Sequence, residues 1–273
     1  VGQCPADQAS TKIYGDLQFY DNQDNPAVGT GFKGSLHCEF KGLVELNVFA
    51  TFGHFSDYKF FCVDAMAYLD KPIPMGFLSL YGFGGGIYNR MSRNALQPLQ
   101  NNNYEPGHIL QAGLAPSGAV YTPDKSLGLG LIATIALSAS VKEAFNCNVT
   151  FGVQFLSTGG LSNVSIDGNA RFMAALEMIQ LPVKIPGSKP NGAMLSANMA
   201  VKYDFQSHQF DGDLEVYANV LGILKGAMPG DKMVDSKIHF GAGSWYIYVG
   251  TPKMPYGIKI AIPGLGTLAE ARS

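Results

Sequence analysis

The sequence predicts an all-β protein in which long antiparallel hairpins form an extended sheet, a sandwich or a β-groove, with one long irregular loop. Apolar and polar residues alternate over several long stretches, and only a strand places successive side chains on opposite faces. Turn-forming Gly, Asn, Ser and Asp separate these stretches. Strands of roughly ten residues at about 3.3 Å per residue reach about 35 Å, which is long for a globular protein.

The clearest alternation lies between Gly128 and Val220. A hairpin is predicted from Ala193 to Val220, with a polar turn at Gln206, Ser207 and His208. Strands with the same pattern begin near Leu129, Asn146 and Val164, with Ile132 and Ala136 as apolar exceptions on a polar face. We expect the apolar side chains to be buried and the polar ones to face water. On the last strand the buried set is Phe210, Leu214, Val216, Ala218 and Val220.

Strands are also predicted nearer the two ends of the chain. Asp16 to Tyr20 is a short candidate, followed by Gly31–Phe40, Leu43–Phe52 and Tyr58–Leu69. In the third of these candidates, Leu43 and Phe49 are apolar on the otherwise wetter face. The tail predicts two more strands, Lys237–Val249 and Tyr256–Ile262.

A change of composition divides the chain. From Ser92 to Lys125 the sequence is rich in Asn, Gln, Pro and Gly and has little periodicity, as in functional loops or joins between domains. The predicted organisation is an N-terminal β meander at 1–95, an irregular linker or loop at 96–126, and a long-hairpin β domain at 127–273. One continuous domain is the alternative.

Composition favours an extracellular, cell-surface or periplasmic location. Charged residues make up only 15% of the chain, against about 25% in an average soluble domain. The net charge of −2 gives no basic surface for nucleic acid. No apolar run reaches the roughly 20 residues of a membrane-spanning helix. The chain begins at Val1 rather than Met, so we expect a processed chain or a piece of a longer one.

The cysteines predict neither a metal site nor a definite disulfide. Cys4, Cys38, Cys62 and Cys147 form no CxxC motif and no Cys/His cluster, so no metal and no cofactor are expected. An even number allows two disulfides in an oxidising compartment. Cys38 and Cys62, however, lie on the first and third strands of a predicted meander, beyond the reach of a disulfide. Free buried thiols are an equal alternative.

No catalytic motif is present, so no catalytic residue is assigned. The glycines at 82–86 match neither nucleotide-binding pattern and indicate either a flexible strand end or close backbone packing. Asp211, Asp213 and Glu215 share one strand face about 7 Å apart. They suit glycosidase-type acid/base chemistry or calcium binding, but a solvated polar face is the commoner explanation.

Tyr246 and Tyr248 are the binding candidates. In an alternating strand they share one face, and Trp245, Ile247 and Val249 share the other. We expect the tryptophan face to lie in the core. Exposed tyrosines stack on sugars or form protein interfaces, so the tyrosine face is the predicted binding surface.

The stretches Trp245–Pro252 and Gly82–Tyr88, together with the recurring hairpins, resemble parts of large uncharacterised secreted or cell-envelope β proteins of gliding-type Bacteroidota. The resemblance covers about a third of the chain. It implies a segment of a larger cell-surface or periplasmic protein. It supplies no catalytic residues.

Three functions remain open from the sequence. The first is a non-enzymatic structural, adhesion or assembly module of an extracellular or cell-envelope protein, with protein partners or self-association to cover its edges. The second is a membrane β-barrel or an apolar-ligand carrier, which requires an outward apolar band and aromatic girdles. The third is a carbohydrate-active enzyme that uses the carboxylates above, with carbohydrate as its ligand.

Overall fold

The computed structural model describes residues 11–21, 29–94, 115–139, 144–173, 194–250, 255–262 and 266–273. Strands make up 76% of these residues, and no α-helix occurs among them. The strands of the first half are β1 Thr11–Tyr20, β2 Thr30–Phe40, β3 Val44–His54, β4 Lys59–Met75, β5 Leu78–Asn89, β6 Met91–Asn94, β7 Val120–Pro123 and β8 Leu127–Ser138. The strands of the second half are β9 Phe145–Leu156, β10 Leu161–Phe172, β11 Leu195–Asp204, β12 Gln209–Val220, β13 Leu224–Gly226, β14 Lys232–Phe240, β15 Trp245–Val249, β16 Gly257–Ile262 and β17 Gly266–Arg272.

One antiparallel sheet contains all the described strands except β6 and β7, which pair only with each other. The order runs from β1 to β5, continues directly with β8, and reaches β12. There it branches: β14 and β15 continue beside most of β12, while β13, β16 and β17 continue from its end. The sheet is open, with no pairing between β1 and either far end. We call strands β1–β5, β8–β12, β14 and β15 the wall.

The long alternating hairpins are confirmed, with most strand limits within a few residues of the prediction. The prediction of a single strand from Lys237 to Val249 is wrong. The chain turns after Phe240, and the N–H of Gly241 donates to the Ser244 carbonyl at 2.9 Å. This turn separates β14 from β15, which then pair with each other. Two glycines and a serine inside the predicted strand were the signal for a turn.

Two small apolar clusters lie on one face of the wall. The first contains Phe49, Phe60, Cys62, Tyr88 and Ile132 from the wall, together with Met91 and Ala115 from the segment that carries β6 and β7. The second contains Met66, Tyr68, Tyr81 and Ala136. We call the face that carries these clusters the inward face, and the opposite face the outward face.

The glycine run at 82–86 lies inside β5 rather than in a phosphate-binding loop. A Cβ atom at Gly82 would lie 2.9 Å from the Tyr68 ring, and one at Gly84 would lie 2.6 Å from Met66 Sδ. Such distances are shorter than van der Waals contact, so the two glycines leave room for the large side chains of β4. Close packing, one of the two alternatives that the sequence left open, is their function here.

Candidate functional site

The two faces of the wall have the opposite burial to the one expected from the sequence. On β8, Thr134 is 2% exposed and its neighbour Ile135 is 44% exposed. On β9, Thr150 is 5% exposed and Phe151 is 49% exposed. The alternation was predicted correctly, but the expectation that its apolar side chains are buried is wrong. Polar residues face inward, and apolar residues face outward.

The outward face is apolar along its whole width. The outward face has one charged residue, Lys59 at the beginning of β4. The bulge that follows Tyr68 in the same strand is not counted here. Strand pairing aligns these outward residues into continuous rows. One row contains Leu17, Gly34, Ala50, Val63, Ile87, Leu131, Val153, Val164, Tyr203, Phe210, Phe240 and Trp245.

Nine outward aromatic residues lie towards one end of the wall strands, while Phe40, Phe145 and Phe172 lie at the opposite end. All wall strands except β5, β8 and β10 contribute one: Phe19, Phe32, Phe52, Phe61, Phe155, Tyr203, Phe210, Phe240 and Trp245. Neighbouring rings touch, with centroids 5.2 Å apart between Phe32 and Phe52 and 6.0 Å apart between Phe52 and Phe61. The rings form a belt along that end of the outward face.

Polar side chains of the inward face form hydrogen bonds that link its strands. The hydroxyls of Thr134 and Thr150 lie 2.9 Å apart, and Tyr81 donates to Asn148 Oδ1 at 3.3 Å. Gln154 Nε2 donates to the Gly128 carbonyl at 3.0 Å. Because all five side chains are buried, these bonds offset the cost of removing their polar groups from water.

The three carboxylates singled out in the sequence face inward, and each has a partner on β14. Asp211 Oδ1 lies 2.6 Å from His239 Nδ1, and Asp213 Oδ1 lies 3.0 Å from Lys237 Nζ. Glu215 Oε1 accepts from Lys232 Nζ at 2.7 Å. This arrangement is a ladder of one hydrogen-bonded pair and two ion pairs between two strands.

Tyr246 and Tyr248 lie on the inward face of β15, as their alternation with Trp245 predicted. Their ring centroids are 5.7 Å apart, and His239 stacks on Tyr246 at 5.1 Å. The expectation that the tryptophan face is core is wrong, because Trp245 is 73% exposed. Trp245, Ile247 and Val249 belong to the outward apolar face instead.

Cys38, Cys62 and Cys147 are free thiols, while Cys4 lies outside the described residues. Among the described residues, no group of His, Cys, Asp or Glu has the arrangement of a metal site. No helix in that part of the chain is long and apolar enough to cross a membrane.

No protein-family model matches this chain, and no curated protein matches it. The resemblance to envelope proteins of Bacteroidota therefore stays a prediction. The two faces of the wall, with their opposite polarity, are the feature from which function is argued.

Sequence reasoning missed a group of buried polar residues on the inward face. Asp64 of β4 accepts three hydrogen bonds, from the Ser117 N–H at 3.0 Å, the Ser117 hydroxyl at 2.6 Å and the Tyr121 hydroxyl at 2.7 Å. Arg93 of β6 pairs with Asp167 of β10 at 2.6 Å. The partners are 53 or more positions apart in sequence, so no local motif marks them.

Proposed function

We propose that the wall is a membrane-embedded β-sheet of a cell-envelope protein, with its outward face against lipid and its inward face against a hydrated space. The observation that carries this proposal is the exposed apolar outward face, whose one charged residue outside the β4 bulge is Lys59, beside an inward face that carries the polar side chains. Soluble proteins rarely expose continuous apolar patches beyond a few hundred Å². In membrane β-sheets, lipid-facing apolar residues alternate with polar residues that face the interior.

The strand lengths support a bilayer crossing. A tilted transmembrane strand needs about 9–11 residues to cross the hydrocarbon core. β1, β2, β3, β9 and β11 have 10, 11, 11, 12 and 10 residues. Measured along the strands, the outward apolar face therefore has the extent that a lipid core would cover.

The aromatic belt also supports this proposal. Aromatic side chains concentrate where the hydrocarbon core meets the headgroups, because their rings tolerate both environments. Four members of the belt point outward at the same end of the wall: Phe19, Phe32, Phe52 and Trp245. In a bilayer this end of the wall lies at one interface.

The proposed role is structural rather than enzymatic. Asp211, Asp213 and Glu215, the carboxylates that an enzyme would use, are instead engaged in one hydrogen-bonded pair and two ion pairs between strands. Because unpaired backbone groups are not tolerated in hydrocarbon, the free edges of β1 and β15 require further strands as partners. Self-association or assembly with other β elements, predicted from the sequence, meets this requirement.

Trp245 provides a direct test because it is the only tryptophan in the chain. The protein is reconstituted into phosphatidylcholine vesicles in which the acyl chains carry bromine, which quenches tryptophan fluorescence on contact. We expect strong quenching, greatest for bromine near the headgroups because Trp245 begins its strand. In the double variant Phe151→Trp, Trp245→Phe, the single tryptophan lies in the middle of β9. We expect bromine deep in the bilayer to quench it best.

The matched control moves the fluorophore by one residue. In the double variant Trp245→Phe, Tyr246→Trp, the single tryptophan lies on the inward face, and we expect little quenching. Equal quenching of both proteins, or none of either after vesicle flotation, would contradict a lipid-facing outward surface.

A further inference from the structure

Strands β6 and β7, together with residues 115–119 that precede β7, pack on the inward face of the wall. Met91 and Ala115 are 1% exposed and lie in a cluster with Phe60, Cys62 and other wall residues. The Tyr121 ring lies 5.1 Å from the Tyr88 ring. The direct pairing of β5 with β8 allows this segment to leave the sheet without interrupting it.

Two polar attachments hold the segment, and they lie on different strands of the wall. One is the set of three hydrogen bonds from Ser117 and Tyr121 to Asp64 on β4, a residue with no exposed surface. The other is the ion pair between Arg93 and Asp167 on β10, whose side chains are 6% and 14% exposed.

The charges at these attachments are complementary. Burial would lower the pKa of the Arg93 guanidinium, but the neighbouring Asp167 carboxylate raises it above its ordinary value. Burial and the adjacent Asp64 carboxylate raise the pKa of Tyr121 far above its ordinary value. Arg93 is therefore cationic, and Tyr121 is a neutral hydrogen-bond donor.

The register of β6 and β7 shows that the two attachments connect distant strands of the wall. Arg93 and Tyr121 are directly opposite each other in the β6–β7 pair, so their Cα atoms are about 5 Å apart. β4 and β10 are separated by β5, β8 and β9, which is about 19 Å along a flat sheet at 4.8 Å per strand. One opposed pair therefore contacts two strands that have three others between them.

We propose that β6 and β7 form a cross-brace that ties β4 to β10, fixes the spacing of these two strands and covers the inward face beneath it. Release of either attachment lets the two strands move apart and admits water and solutes to that face. The brace is a conformational control that goes beyond lipid contact, and it does not depend on the membrane proposal.

Cys62 is a native reporter for this brace because it is fully buried among Met91, Ala115 and Tyr88. The other cysteines are replaced by alanine in the full chain, and the rate of Cys62 alkylation by N-ethylmaleimide is measured under conditions that keep the protein folded. We expect slow reaction in the parent. The variant Asp167→Asn, Tyr121→Phe, which weakens both attachments, is expected to react about tenfold faster or more, because local opening becomes easier.

Asp213→Asn is the matched control, since it removes a carboxylate from another inward ion pair, with Lys237 at 3.0 Å, outside the brace. Its Cys62 rate is expected to equal that of the parent. If circular dichroism shows that the double variant has lost its β-sheet, the single variant Tyr121→Phe is measured instead. This variant removes only one hydroxyl group. An unchanged rate in a folded brace variant, or an equal increase in Asp213→Asn, would overturn the brace. If Trp245 is not quenched in vesicles but Cys62 reacts faster in the brace variant, only the membrane proposal is refuted.

Discussion

At the scale of single residues, the apolar exceptions on the polar face carry specific information. Phe49 and Ile132 interrupt the polar pattern of their strands, and both belong to the cluster under the brace. Ala136 lies in the second inward cluster. Sequence alternation located these residues but did not explain them, because the segment that covers them has no periodicity of its own. Apolar exceptions on the polar face, two of which share one row across the sheet, were the available signal for an inward-packed element.

Gly130 allows a large aromatic side chain to lie flat against the inward face. A Cβ atom at Gly130 would lie 2.2 Å from the Tyr88 ring, and the wall backbone behind it leaves no room to retreat. We expect Gly130→Ala to lower the free energy of unfolding by about 1–3 kcal/mol, the usual cost of overpacking. The measurement is denaturant unfolding followed by circular dichroism.

Gly243→Ala is the control for this prediction. Nothing lies within 4 Å of a Cβ atom at Gly243, so a change within about 0.5 kcal/mol is expected. Similar losses in both variants would mean that the contact with Tyr88 is not the cause.

At the scale of strands, alternation predicted the faces of each element, while the ends depended on turn chemistry. A period of two follows from the pleat alone, so the assignment of residues to one face or the other survives any error in the strand limits. The short turn at Gly241–Ser244 carries no strong break in hydrophobicity, and the prediction therefore ran β14 and β15 together.

β9 offers a paired test of the outward surface. Phe151 lies in the middle of this strand and Phe155 near its end, and both point outward. In lipid vesicles we expect Phe151→Lys to destabilise the protein by about 2–4 kcal/mol and Phe155→Lys by about 0–1 kcal/mol, because the cost of a lysine falls from the bilayer centre to its surface.

The free energies are measured by urea unfolding of the reconstituted protein. An equal loss of unfolding free energy in the two variants is expected if water or protein covers the outward face. That result would count against contact with lipid.

At the scale of the whole molecule, the sequence predicted the fold class and the two faces but assigned the wrong face to the interior. The rule that apolar residues lie inside assumes that water surrounds the protein, and nothing in the alternation states what surrounds it. Low overall charge was the hint, and the near absence of charged residues from one parity of the wall strands is the sharper form of it. Tyr246 and Tyr248 remain a prediction as binding residues.

The open sheet predicts an order of unfolding. β1 and β17 each have one hydrogen-bonded neighbour, whereas β4, β5, β8 and β9 lie between two and carry the clusters. In the monomeric protein in detergent, where no partner strand covers these edges, we expect amide hydrogens of β1 and β17 to exchange fastest and those of the interior strands to exchange slowest. Mass-spectrometric hydrogen exchange measures this order. Uniform protection of β1 would instead mean that another strand covers its free edge.

The reversed polarity of the wall also has a consequence for how this protein can evolve. Where the outward face lies against lipid, as proposed, the fluid surrounding accepts any apolar shape, so outward positions such as Ile135 and Val153 are free to drift among hydrophobic residues. Inward partners such as Thr134 with Thr150 and Arg93 with Asp167 constrain one another and must change together. Divergent relatives should therefore be recognised by paired substitutions on the inward face and by conserved hydropathy, rather than conserved identity, on the outward one.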